Sequence, residues 1–70
     1  MMPLTMVNTG ETNYIKKISG KDEVKRHLNN LGLVEGEKVT VVSKMNGNVI
    51  LGVKDSRIAI DKMLANRIIV

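Results

Sequence analysis

His27 is the only imidazole in a chain that has no cysteine. The carboxylates that precede and follow it are Asp22, Glu23 and Glu35. A transition-metal site needs several nitrogen, sulfur or carboxylate ligands converging on one point. These residues have no recognised ligand spacing, so no metal ligand is assigned and no cofactor is expected. Ser19, Thr40, Ser43 and Ser56 are the hydroxyls to weigh as nucleophiles, yet none has a histidine placed by motif to act as its base. The six glycines occur singly, and none precedes the lysine–serine or lysine–threonine pair of a phosphate loop. The chain therefore reads as a protein without catalytic residues, not as an enzyme.

Charge is the remaining chemistry. The formal charge is +4 and the pI near 9.7, which raises a polyanion as a partner. Lys16, Lys17, Lys21, Lys25 and Arg26 lean basic, but Asp22 and Glu23 sit among them, and Asp55 and Asp61 alternate with Lys54, Arg57 and Lys62. Mixed charge of this kind keeps small domains soluble. Small nucleic-acid-binding barrels stack bases on aromatic side chains, and Tyr14 is the only aromatic present. Nucleic acid is thus not the favoured partner, although a phosphate-only contact through Lys16, Lys17, Lys25 and Arg26 stays open. Protein recognition is favoured, with Lys25, Arg26, Asn29 and Arg57 as candidate partner-binding residues.

These side chains must be positioned by very little chain. Seventy residues form one domain at most, read here as residues 1–70, and bury only roughly 60% of the surface exposed when unfolded. Without cysteine, the fold must rest on aliphatic packing. Val, Ile, Leu and Met supply nearly all of the apolar content, which favours strands. The apolar run Val49 to Leu51 falls far short of the roughly 20 residues of a membrane span, and no secretory signal follows Met1. The expectation is a cytoplasmic protein without membrane insertion.

Pro3 to Val7 reads as a short lid ending in the turn Asn8-Thr9-Gly10. Thr12 to Ile18 is predicted as a first strand, with Tyr14 and Ile18 on one side and Ile15 on the other. From Asp22 to Leu31, Val24, Leu28 and Leu31 form one helical stripe. Asp22, Arg26 and Asn29 then point outward with Lys25 flanking. Ser19 or Asp22 is the expected cap, and Gly32 suits the left-handed residue that closes a helix, with Leu33 packing back. Lys38 to Met45 and Asn48 to Val53 flank Asn46-Gly47, a two-residue turn that needs positive φ at both positions. After Lys54-Asp55-Ser56, Arg57 to Ile60 continues the meander. Asp61 caps a single helical turn, Asn66 breaks it, and Arg67 to Val70 forms a last strand that pairs back near the first. Met45 and Met63 are expected in the core or at its rim. Asn8-Thr9-Gly10-Glu11 and Val34-Glu35-Gly36-Glu37 each pair glycine with glutamate before a strand, and read as two similar turns rather than a repeat.

Two-faced aliphatic strands in so short a chain are best buried by a small closed barrel. The expected fold is mainly β: a small closed barrel of about five strands, one inserted α-helix and a short helical turn before the last strand. Leu31-Gly32-Leu33-Val34-Glu35-Gly36-Glu37-Lys38-Val39 resembles the leucine-glycine-leucine, two-residue, glycine, two-residue, valine pattern of the ferrous iron transport protein A (FeoA) family, whose domain is an SH3-like barrel. Leu4 with Gly10-Glu11, Ile15 to Ile18, Val24 to Leu28, Arg57 to Ile60, Ala65 and Ile68 to Val70 extend the likeness over nearly the whole chain. Glu35 departs from it, since the family often has proline there. The resemblance implies a cytoplasmic accessory protein that binds and modulates the ferrous iron transport protein B membrane permease and GTPase. The alternatives are an SH3-like domain acting with an iron-dependent repressor on a separate chain, and a small basic RNA-binding barrel.

Overall fold

A computed structural model of the chain describes residues 1–70. A short 3₁₀ helix at Leu4–Met6 is followed by β1 (Thr12–Tyr14), β2 (Lys17–Ile18), α1 (Asp22–Asn30), β3 (Lys38–Met45), β4 (Asn48–Val53), β5 (Ser56–Asp61), α2 (Lys62–Ala65) and β6 (Ile68–Ile69). Four strands form an antiparallel sheet in the order β1-β3-β4-β5, and β2 pairs with β6 in a second. Both sheets and both helices share one core of 15 buried residues, all aliphatic, with no polar side chain among them. Alternation puts Val39 and Val41 of β3 inward beside Val49, Leu51 and Val53 of β4, as a pleated strand with one packed face requires.

The predicted first strand is two. Ile15 N–H donates to the Glu37 carbonyl at 2.9 Å and its C=O accepts from Gly36 N–H at 2.7 Å, the last bonds to the β3 side, and Lys16 N–H donates to the Ile69 carbonyl at 2.8 Å, the first to β6. The chain changes sheets between these residues. Strict alternation fails at such a corner, so Ile15 and Ile18 are both buried while Tyr14 is 62% exposed. The last strand does pair back: Lys17 opposes Ile69 and Ile18 opposes Ile68. Pro3 bridges to Ile69 from the other side.

The two glycine–glutamate turns have one geometry. Glu11 N–H donates to Asn8 and Glu37 N–H to Val34, each at 3.1 Å. Gly10 and Gly36 take φ of 92° and 88°, the left-handed value a type II turn needs at its third residue. Each glycine N–H then donates at 2.7 Å across the ladder, Gly10 to Val41 and Gly36 to Ile15. The following bonds correspond as well, Val41 N–H to Glu11 at 3.1 Å and Ile15 N–H to Glu37 at 2.9 Å. Residues 8–15 and 34–41 are thus related by a local two-fold axis between β1 and β3.

Beyond Val41 the register slips by one residue, so that Val41 opposes Leu51 and Ser43 opposes Ile50. This bulge at Val42 places Lys44 opposite buried Val49, and its Nζ donates to the Thr5 carbonyl at 3.0 Å. The Asn46-Gly47 turn has positive φ at both residues, 41° and 84°. Met45 beside it and Met63 on α2 are 58% and 78% exposed, outside the core. Asp61 caps α2, its Oδ1 accepting from Leu64 N–H at 2.8 Å.

Candidate functional site

The α1 face is built by how the helix starts and stops. Neither Ser19 nor Asp22 caps it: the N-cap is Lys21, with no side-chain bond. Ser19 is held instead by the last strand, its N–H donating to the Arg67 carbonyl at 2.8 Å and its Oγ to the same atom at 3.3 Å. Asp22 and Glu23 lie in the first turn, where negative charge complements the helix dipole. At the other end Leu33 N–H reaches the Leu28 carbonyl at 3.0 Å and Gly32 N–H reaches Asn29 at 2.9 Å, with Gly32 at φ 91°. This bond pair is the Schellman closure, and its usual hydrophobic contact is present as buried Leu28 and Leu33.

With the helix so closed, Leu28 is buried and Val24 and Leu31 pack on the core. Lys25, Arg26, His27 and Asn29 are exposed. Lys25 and Asn29, one turn apart, line a groove of about 390 Å³ together with Ile18, Val34 and Glu35. Ile18 forms its buried floor. Lys25 and Glu35 put opposite charges on its walls without forming an ion pair, since the one ion pair of the structure is Lys54–Glu37 at 3.6 Å. In the orientation that satisfies both ends of its amide, Asn29 donates to the Leu33 carbonyl at 2.9 Å and to the Lys25 carbonyl at 3.3 Å. Its nitrogen thereby braces the joint between the helix and the turn that follows it.

The groove unites two of the four residues expected to bind a partner. Arg26 is on the same helix but does not line it, and Arg57 is exposed on β5, opposite Gly52. Glu35 and Val34 join the groove because the Schellman turn folds them back beside the helix. Their closeness to its closing glycine was the only signal in the chain. A second groove, of about 380 Å³, lies between the 3₁₀ helix and α2, lined by Thr5, Met6, Lys62, Met63 and Asn66. No group of three or more His, Cys, Asp or Glu side chains is placed to hold a metal ion.

The model of the FeoA domain matches residues 2–70. The chain belongs to the FeoA family. A protein of Methanocaldococcus jannaschii named as an Fe(2+) transport protein A is 37% identical over all 70 residues of this chain and 85% of its own length. Among solved structures, a FeoA described as an iron uptake regulatory protein is 31% identical, with 96% of this chain and 89% of that one superposed at a TM-score of 0.88. The zinc-complexed FeoA of Stenotrophomonas maltophilia, a prokaryotic SH3 domain protein, covers 99% of this chain and 88% of its own at 24% identity and a TM-score of 0.84. The barrel is accordingly SH3-like, and FeoA membership places the chain among the small accessory domains of ferrous iron transport.

Proposed function

We propose that this chain, acting as one domain, is a cytoplasmic accessory of ferrous iron uptake that binds a ferrous iron transport protein B-type membrane permease and modulates its GTPase domain. The FeoA match over residues 2–70 supports the iron-uptake setting. The observation that carries the contact is the α1 face, where Lys25 and Arg26 are exposed and outside the single ion pair. They stand beside a groove whose third polar wall, Glu35, carries the opposite charge. Unpaired rim charges of this kind steer and orient a partner more than they add raw affinity. No helix of the chain is long and apolar enough to cross a membrane, so the contact is assigned to the part of the permease outside the bilayer.

The test is a titration of the chain into the purified cytoplasmic part of such a permease, with GTP hydrolysis followed in parallel. Saturable binding is expected, weakened by about tenfold in the double variant K25E/R26E. No association at high micromolar concentration sinks the proposal. Salt-dependent binding to RNA in its place would favour the basic-barrel alternative.

A further inference from the structure

The four-stranded sheet ends on β5, which pairs with β4 on one side only. The two-residue turn Lys54-Asp55 makes Val53 and Ser56 the first bonded pair of this hairpin. Bonded and non-bonded pairs alternate along an antiparallel ladder, so the N–H and C=O groups of Ser56, Ile58 and Ile60 serve β4. The bond from Lys62 N–H to the Gly47 carbonyl at 2.9 Å continues the same row. Arg57, Ala59 and Asp61 therefore turn their backbone groups to the open side. All three side chains are exposed.

An open edge of this kind is a template for another strand, and proteins commonly blunt it with proline, a bulge or an inward charge. β5 has none of these: the residues on its core-facing side are Ile58 and Ile60, with Ser56 exposed at the turn, and the bulge of the sheet is on β3, so the only guard on this edge is the charge of Arg57 and Asp61. Its two charges instead have opposite sign and stand two residues either side of Ala59. We propose that two copies of the chain pair through β5, antiparallel, about a two-fold axis at Ala59.

In that register Ala59 opposes Ala59 of the second copy, and Arg57 opposes its Asp61 in both directions. Ala59 N–H and C=O, Arg57 C=O and Asp61 N–H gain partners, and the Asp61 carbonyl, which as the N-cap of α2 already accepts the first helical bond, offers its second lone pair to Arg57 N–H of the other copy. Slipping the register by one pleat sets Arg57 or Asp61 against Ala59 and loses both ion pairs, and slipping it by two sets Arg57 against Arg57 or Asp61 against Asp61, where like charges directly opposite are unfavourable. The small side chain at the axis lets the two strands approach. Asp61 can serve both neighbours, because its Oδ1 holds Leu64 N–H and its other oxygen is free for arginine. The contact is isologous, as a closed dimer requires, and it joins the two sheets into one.

The experiment is a dilution series of the intact chain from millimolar to micromolar concentration, read by sedimentation equilibrium and by amide spectra with hydrogen exchange. A monomer–dimer equilibrium is expected. The amides of Arg57, Ala59 and Asp61 should gain protection as concentration rises, while those of Ile58 and Ile60, already bonded to β4, stay constant. R57E sets like charges opposite each other and should weaken the dimer by about tenfold. A59P removes the central donor at a position where an edge strand tolerates proline, and should abolish the dimer while circular dichroism remains native. If A59P does not fold, R57E still decides. A monomer at millimolar concentration, a dimer indifferent to R57E, or protection that arises only when a different protein is added would each overturn the proposal.

Discussion

Residues 8–15 and 34–41 share a backbone and little else. Both make a glycine turn, both hand the glycine N–H to the opposite strand, and both lead into the same ladder. The first then leaves the sheet after Ile15 for β6, whereas the second runs on through a bulge to Met45. Their glutamates diverge as well. Glu11 Oε1 accepts from Asn8 N–H at 3.0 Å inside its own turn, while Glu37 accepts from Lys38 N–H at 3.3 Å and pairs with Lys54. The difference teaches that glycine and the turn set the path into a strand, and that the side chains after it decide how long the strand lasts.

The comparison breaks hardest at the corner. Ile15→Ala empties a core position at the point where the chain changes sheets, and is expected to cost about 2–5 kcal/mol in urea denaturation. Gly10→Ala and Gly36→Ala sharpen it. A Cβ at either site meets nothing within 4 Å, so only the positive φ opposes it, and each should lose about 1–2 kcal/mol, near-equal if the two turns are equivalent. Glu11→Ala should cost about 0.5–1.5 kcal/mol through the lost bond to Asn8. Lys54→Ala, which removes an exposed ion pair from the second turn alone, should cost less than about 1 kcal/mol and fade with added salt.

Local chemistry was readable ahead of the structure and long-range pairing was not. Asn46-Gly47, Gly32 with Leu33, the Val24–Leu28–Leu31 stripe and the Asp61 cap each express a rule confined to a few residues. The sheet change after Ile15 and the slip at Val42 depend on partners far along the chain, Ile69 and Leu51, which no local period announces. The Ser19 expectation failed for the same reason, since Arg67 competes for its hydroxyl. Of the candidate site, the exposure of Lys25, Arg26 and Asn29 followed from the stripe. The groove that joins Lys25 and Asn29 to Glu35 followed from tertiary folding.

The all-aliphatic core also makes the molecule optically silent about its own packing. Tyr14, the sole aromatic side chain, sits in solvent on β1, at the place the local two-fold gives to Thr40 on β3. Its fluorescence and near-ultraviolet signal report that strand and its exposure to water, and they change little when Leu28, Leu33 or Leu51 loosens. Cooperative unfolding of this barrel is therefore seen in the far-ultraviolet backbone signal or in methyl resonances, and a flat tyrosine trace is no sign of an intact interior.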